Sequence, residues 1–288
     1  MKKLILLWAA ILLLTGTSLA NAGMLYISSS GDSGSHLYNL TTDGAATDVG
    51  EIKSDGASLD IRDIAYNSIS GTMYAITTDK LYTVDFLHSS GGVVTASLVG
   101  TTGVTRLRGL TVAGNGTIYA GSSPSGGMGS LYTLSSTDGK ANSVGLFGSG
   151  GDISENYLRD YGDLAFSPAG TLYGTFLWLN HADNNYLGTV STSLGTATNL
   201  VSTGKGQADG LAFIGDTLYS VSTEKLYTFD PSNGIVLSDK AILAGGIPVT
   251  GITGLTSVNQ VPLPASALLL GSGMVGLGLL RLRRKPWA

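Results

Sequence analysis

Apolar and polar positions alternate along most of the chain in runs of four to six residues, each bounded by glycine, aspartate, serine or threonine, which is the pattern of short half-buried strands joined by tight turns. One such pattern recurs. A glycine or aspartate is followed by a hydrophobic residue, a small residue and an aromatic or aliphatic one. After a turn comes Gly-Thr-hydrophobic-Tyr, then a loop, then Leu-Tyr-Thr-hydrophobic. It reads Asp63-Ile64-Ala65-Tyr66, Gly71-Thr72-Met73-Tyr74 and Leu81-Tyr82-Thr83-Val84 in the first copy. Later copies open at Gly109-Leu110, Asp163-Leu164 and Gly210-Leu211, the third with a degenerate last segment, Tyr186 to Val190. Counted from the hydrophobic residue, units begin at 64, 110, 164, 211 and 255, so they are 46, 54, 47 and 44 residues apart. That is the length of a four-stranded propeller blade.

The last opening, Gly254-Leu255-Thr256-Ser257-Val258, has no partner strands after it, whereas three unassigned strands stand at the other end: Met24 to Ile27, His36 to Leu40 and Thr47 to Ile52. Joining them makes a fifth unit and leaves no free sheet edge. The expectation is therefore an all-β fold, a β-propeller of five four-stranded blades over residues 23–258, closed by N- and C-terminal strands. A β-solenoid or an open sandwich is the competing architecture, and neither explains why the two ends complement one another. Loops joining blade to blade, and second strand to third, share one face of such a ring. The longest connections, Ser28 to Ser35, Gly121 to Ser130, Leu146 to Gly162 and Phe176 to Asn185, fall there. Elaborated loops on a rigid scaffold commonly carry function.

Both ends of the chain carry addresses. Lys2 and Lys3 precede an apolar run from Leu4 to Leu14 and the small-x-small site Ala20-Asn21-Ala22, which reads as a signal peptide over residues 1–22 cut by signal peptidase. The run is too short for a membrane span of roughly 20 residues. At the other end Val261-Pro262-Leu263-Pro264-Ala265 leads into an uncharged stretch, residues 265–280, and then into Arg281, Arg283, Arg284 and Lys285. Such a stretch can hold a transmembrane helix in a thin bilayer, with the basic tail 281–285 on the cytoplasmic side. In these residues the tail resembles the VPLPA-type variant of the PEP-CTERM sorting signal, although Leu263 stands where the commoner form has Glu. The resemblance implies that residues 259–288 are a linker plus sorting signal. It further implies an inner-membrane-anchored precursor in a Gram-negative bacterium, processed by an exosortase-type enzyme and delivered to the cell surface or extracellular matrix, with exopolysaccharide as a possible partner. It implies nothing about the activity of the exported domain.

Charge narrows the partners. Residues 23–260 hold all 20 acidic side chains but 10 of the 16 basic ones, a formal charge of −10. A body this acidic repels phosphate backbones, which argues against nucleic acid. The absence of cysteine removes disulfides, thiolate metal sites and cysteine nucleophiles.

Candidate chemistry gathers where the inner strands begin. Arg62 and Asp63, Arg108, Asp160 and Asp163, and Asp209, with Arg106 and Arg159 just upstream, should encircle one mouth of the channel. They suit a polar ligand, a glycan or a cation, or else pair with one another and cap the channel. Trp178 and Tyr157 are the candidate sugar-stacking aromatics. Gly31-Asp32-Ser33-Gly34 copies the tetrapeptide around a chymotrypsin-like nucleophile, but no histidine precedes it in the mature chain to act as base. His36, His88 and His181 do not share a face, so zinc is not expected and no cofactor is assigned. Asp152, Ser154, Glu155 and Asn156 in one loop, and Asp183-Asn184-Asn185 in another, are oxygen-rich enough to admit calcium but lack an EF-hand pattern. With no catalytic constellation, the expectation is a non-catalytic binding or structural module at the cell surface. The alternative is a propeller enzyme, a lyase or metal-assisted hydrolase working on extracellular polymer or small esters through carboxylates of the channel mouth.

Overall fold

A computed structural model describes residues 24–31, 34–123, 129–148, 158–178, 185–205, 208–222 and 224–258, with the backbone alone at 158–161 and 178. The sorting motif Val261 to Ala265, Arg281, Arg283 and Arg284, the signal segment 1–22, Tyr157 and the loop 152–156 lie outside the described residues.

The chain folds into five four-stranded antiparallel blades. Blade I comprises Asp63–Asn67, Thr72–Ile76, Lys80–Ser90 and Val93–Thr101, and blade II Leu107–Val112, Ile118–Ser122, Ser130–Leu134 and Ala141–Leu146. Blade III holds Leu158–Phe166, Leu172–Trp178, Asn185–Val190 and Ala197–Ser202, and blade IV Gly210–Ile214, Thr217–Ser222, Lys225–Phe229 and Val236–Ala241. Blade V joins the ends as expected: Ile252–Val258 is its inner strand, followed outward by Met24–Gly31, Gly34–Leu40 and Ala45–Ser54. Met24 sits opposite Val258 and Ile27 opposite Leu255 in that seam. The five inner strands touch one another in cyclic order, which closes the ring as a β-propeller.

The repeat has a backbone cause. Gly71, Gly116, Gly170 and Gly215 sit in the turn after each inner strand with φ of 71°, 85°, 83° and 55°. Side chains other than glycine are strained there. In blade I, Asn67 supports the turn by accepting the Ile69 N–H at 3.0 Å with its Oδ1.

The core is divided among the seams. Successive residues of an inner strand point to opposite faces of the blade, so Ile64 packs toward blade V with Tyr26, Ile52 and Met73, while Ala65 packs toward blade II with Leu110, Ile118 and Leu134. Leu164 joins Leu131, Phe147 and Phe176 between blades II and III; Ala165 joins Leu187, Leu211 and Phe213 between III and IV. Ala212, Val221, Leu25, Ile27 and Leu255 fill the seam between IV and V. At the rim, the turn joining the third and fourth strands of each blade presses on the outer strand of the blade before it. Gly100 meets Asp138, Gly145 meets Leu194, Gly234 meets Val201, Gly44 meets Ala241 and Gly50 meets Gly92, each at backbone-to-backbone or near-backbone distance.

Two loop expectations are corrected. Ser28 to Ser35 is a hairpin whose strands pair Ser28 with Leu37, Ser29 with His36, Ser30 with Ser35 and Gly31 with Gly34. Leu158 to Gly162 likewise belongs to an inner strand of nine residues. Ladder hydrogen bonds to an adjacent strand outweigh the loop preference of Gly and Ser in these stretches.

Candidate functional site

Each blade contributes two consecutive residues, at or near the start of the inner strand in four blades and midway along Leu158–Phe166 in blade III, that form layers around the axis. The upper layer, Arg62, Arg108, Gly162, Asp209 and Thr253, takes one residue from every blade and lines a cavity of about 30 Å³ at the channel mouth. Asp63, Gly109, Asp163, Gly210 and Gly254 follow directly in sequence. At the far end of the strands a second cavity, about 240 Å³, is lined by Ala65, Thr111, Phe166, Phe213, Thr256 and their neighbours, with no charged side chain among them.

Asp63 and Asp163 were expected to stand in the mouth. Instead both are fully buried between the two cavities, lining neither. Asp63 accepts the Ile64 N–H at 2.7 Å with Oδ1 and the Leu110 N–H of blade II with Oδ2. Asp163 repeats the arrangement one blade pair further on: Oδ1 accepts the Leu164 N–H at 2.6 Å, and Oδ2 accepts the Leu211 N–H of blade IV. Thr175 Oγ1 accepts the Asp163 N–H at 3.0 Å. The two carboxyls are near enough for each to shift the other's titration. Gly254 makes this possible, because a Cβ there would overlap Asp63 Oδ1 and the Asp63 backbone.

Desolvation dominates their titration. Burial pushes the Asp63 carboxyl well above the usual carboxylate range, and the charge of Asp163 adds to the rise against the lowering by the Ile64 and Leu110 N–H groups. Burial likewise raises Asp163, to about 7, while the neighbouring Asp63 and hydrogen bonds from backbone N–H groups oppose the rise. Two neighbouring buried carboxylates cannot both be ionised cheaply, so the pair keeps a proton near neutrality. It is a plug that stitches blades I to II and III to IV, with both acids turned away from solvent.

The exposed chemistry of this end is basic. Arg62 bonds Asp60 through Nη2 at 2.6 Å, and its Nε is buried without a hydrogen-bond partner among the described residues. Arg108 and Asp209 have polar partners of their own. Beside the axial mouth, Arg62, Arg106 and Arg108 line a further cavity of about 380 Å³ together with Thr78, Leu107 and Ser123. Arg106 is exposed and adopts φ of 61°. Its carbonyl accepts the Ser123 N–H at 3.0 Å, and the Leu107 N–H reaches Thr78 O at 3.1 Å, so both neighbours pin the unusual backbone.

Of the remaining expectations, Asp160 pairs with Leu177 and Trp178 with Leu158 in blade III, and their side chains lie outside the described residues. His36 and His88 each face a single aspartate, Asp48 and Asp85, at the surface. Among the described residues no group of three or more His, Asp or Glu is placed to hold a metal. Thr253 and Gly162 complete the mouth, and Thr78 and Ser123 its side cavity; none was singled out beforehand. Aligning the repeats on the residue before each Asp or Gly identifies the first two.

No family model matches this chain. No curated protein matches it either. Solved structures of similar shape include a nidogen/laminin complex, at 11% identity over 83% of this chain and 99% of that one, TM-score 0.48. A gluconolactonase from Xanthomonas campestris is 15% identical over 82% of this chain and 80% of that one, TM-score 0.45. A chain described as the Dos1 propeller gives 11% identity over 76% and 56%, TM-score 0.38.

Proposed function

We propose that this chain is an exported, surface-directed binding module, that its ligand site is the arginine-bearing mouth of the propeller, and that it catalyses no reaction there. The address rests on the charged, apolar and small-residue order of residues 1–22 and on the proline, apolar and basic order of residues 261–285. One observation carries the binding reading. The two acids that open inner-strand repeats, Asp63 and Asp163, are consumed by four backbone N–H groups and fully buried behind the mouth. A general base must reach the proton it takes, and a ligand seated above the plug meets Arg62, Arg108 and Asp209 instead, the last two already engaged in interactions of their own.

The test is made on the full chain expressed in a Gram-negative host. Export that depends on residues 1–22, followed by recovery in the envelope or medium, is expected. At least one of a panel of soluble sugars and sugar acids should bind without being converted, and Arg62→Gln combined with Arg108→Gln should weaken that binding. Turnover of a lactone, ester or glycan that depends on a mouth residue would replace this reading with the enzymatic one.

A further inference from the structure

We infer that the cavity beside the channel mouth recognises a sugar-sized ligand through an oxyanion, a carboxylate such as that of a uronic acid, held by Arg62, Arg106 and Arg108. The inference rests on the binding-module reading and names the chemistry of its ligand.

Three features converge on it. Between residues 23 and 260 the chain has four arginines, at 62, 106, 108 and 159, and three of them line this one cavity in a body with a formal charge of −10. Arg62 pairs with Asp60 much as Lys53, Lys140 and Lys225 pair with Glu51, Asp138 and Asp239, but no lysine lines the cavity. Gathering only the guanidinium-bearing cations at one place selects planar, two-pronged recognition of a carboxylate or phosphate over simple charge balance.

The second feature is strain. Among the described residues, positive φ outside glycine occurs at Asp55, Asn199 and Arg106. Asp and Asn tolerate the left-handed region through their short polar side chains; arginine has no such relief. Such backbone persists where surroundings enforce it, and it clusters at ligand sites. Here the Ser123 and Thr78 backbone bonds enforce it, beside the cavity that Arg106 lines.

The third is the unmet donor. Arg62 Nε is buried with no acceptor among the described residues, although Nη2 of the same group is engaged by Asp60. A buried donor without an acceptor is costly, and a ligand oxygen removes the penalty when the guanidinium turns its Nε edge toward the cavity that Arg62 lines. The cavity, about 380 Å³, falls at the small end of ligand sites, which run from roughly 300 Å³ upward. It exceeds what a bare inorganic anion fills. Thr78 and Ser123 add polar groups for hydroxyls.

Calorimetric titration of the full chain with glucuronate, glucose, glucose 6-phosphate and inorganic phosphate decides the matter. Glucuronate should bind at least ten-fold more tightly than glucose, and weaken as salt rises. Arg106→Asn, which suits the left-handed backbone, should lower glucuronate affinity ten-fold or more with an unchanged melting temperature, and Arg106→Lys should recover only part of it. Preference for glucose 6-phosphate would overturn the carboxylate assignment in favour of a phosphorylated sugar. Equal binding of glucose and glucuronate, indifferent to Arg106, would overturn the oxyanion while leaving a binding module. Binding of inorganic phosphate alone would mean an adventitious ion only and would sink the proposal. No binding of any probe, in a chain that folds, would reject both the proposal and the module reading at this site.

Discussion

Raising the pH from about 4.5 to about 8 should weaken the ring from its centre. In the unfolded chain the Asp63 and Asp163 carboxyls titrate near pH 4. In the folded ring burial holds Asp163 at about 7 and Asp63 well above the usual range. Between those limits the folded state retains protons that the unfolded state has released, so stability is greatest at the acid end of the window and falls as pH rises. The slope is at most about 1.4 kcal/mol per pH unit for each proton retained. Surface acids act elsewhere: Asp43, Glu51, Asp138, Asp230 and Asp239 are held below the usual range by side-chain hydrogen bonds, so the stability they bring is lost only as pH falls through more acidic values. Asp163→Asn isolates the pair. It offers one acceptor where the Leu164 and Leu211 N–H groups both point, so one donor faces an amide NH₂, at a loss of about 1–3 kcal/mol at the acid end. It also removes one of the two titrating groups, so its stability should vary less with pH than the wild type's. Urea unfolding midpoints at intervals across the window measure both. A wild-type stability that is flat or rises from about 4.5 to 7, or a variant that keeps the full slope, would refute the protonated plug.

Three other outcomes are expected. Thr175→Val removes the acceptor of the buried Asp163 N–H and should cost about 1–3 kcal/mol in chemical denaturation, whereas an indistinguishable midpoint would show that the N–H finds another partner. Leu255→Ala, in the inner strand that closes blade V, should cost about 2–5 kcal/mol because the side chain is 1% exposed among Leu25, Ile27 and Val221. Gly145→Ala drives a Cβ into the Leu194 carbonyl across the rim and should lower stability by about 1–3 kcal/mol; Gly56→Ala, with open space around it but φ of 80°, should bring only the backbone penalty.

Much of the ring was readable before any coordinates. The spacing of Gly-Thr-hydrophobic-Tyr reflects a turn that each blade must make, and a turn with fixed backbone demands leaves a letter at a fixed place. The divided fifth blade was readable because Met24–Gly31 and Ile252–Val258 are each incomplete without the other. Depth was not readable. An aspartate opening an inner strand has the same neighbours in sequence whether it faces the mouth or plugs the axis, and only the position of Leu110 and Leu211 in the next blades tells which. The Ser28–Ser35 hairpin was misread for a related reason: its composition is that of a loop, and its strand character comes from Leu37, His36 and Ser35 opposite. Arg106 was noted for its charge, while its left-handed backbone, which makes it the more informative residue of the site, has no signature in its own letter.

The pairing of Met24 with Val258 also sets an orientation. Val258 ends the blade V inner strand on the side of the cavity lined by Thr256 and Ser257, whereas Thr253, five residues earlier, lies in the arginine mouth at the other side. The two ends of this one strand therefore meet different chemistry, guanidinium groups beside Thr253 and uncharged side chains beside Thr256, with the buried Asp63 carboxyl against Gly254 between them.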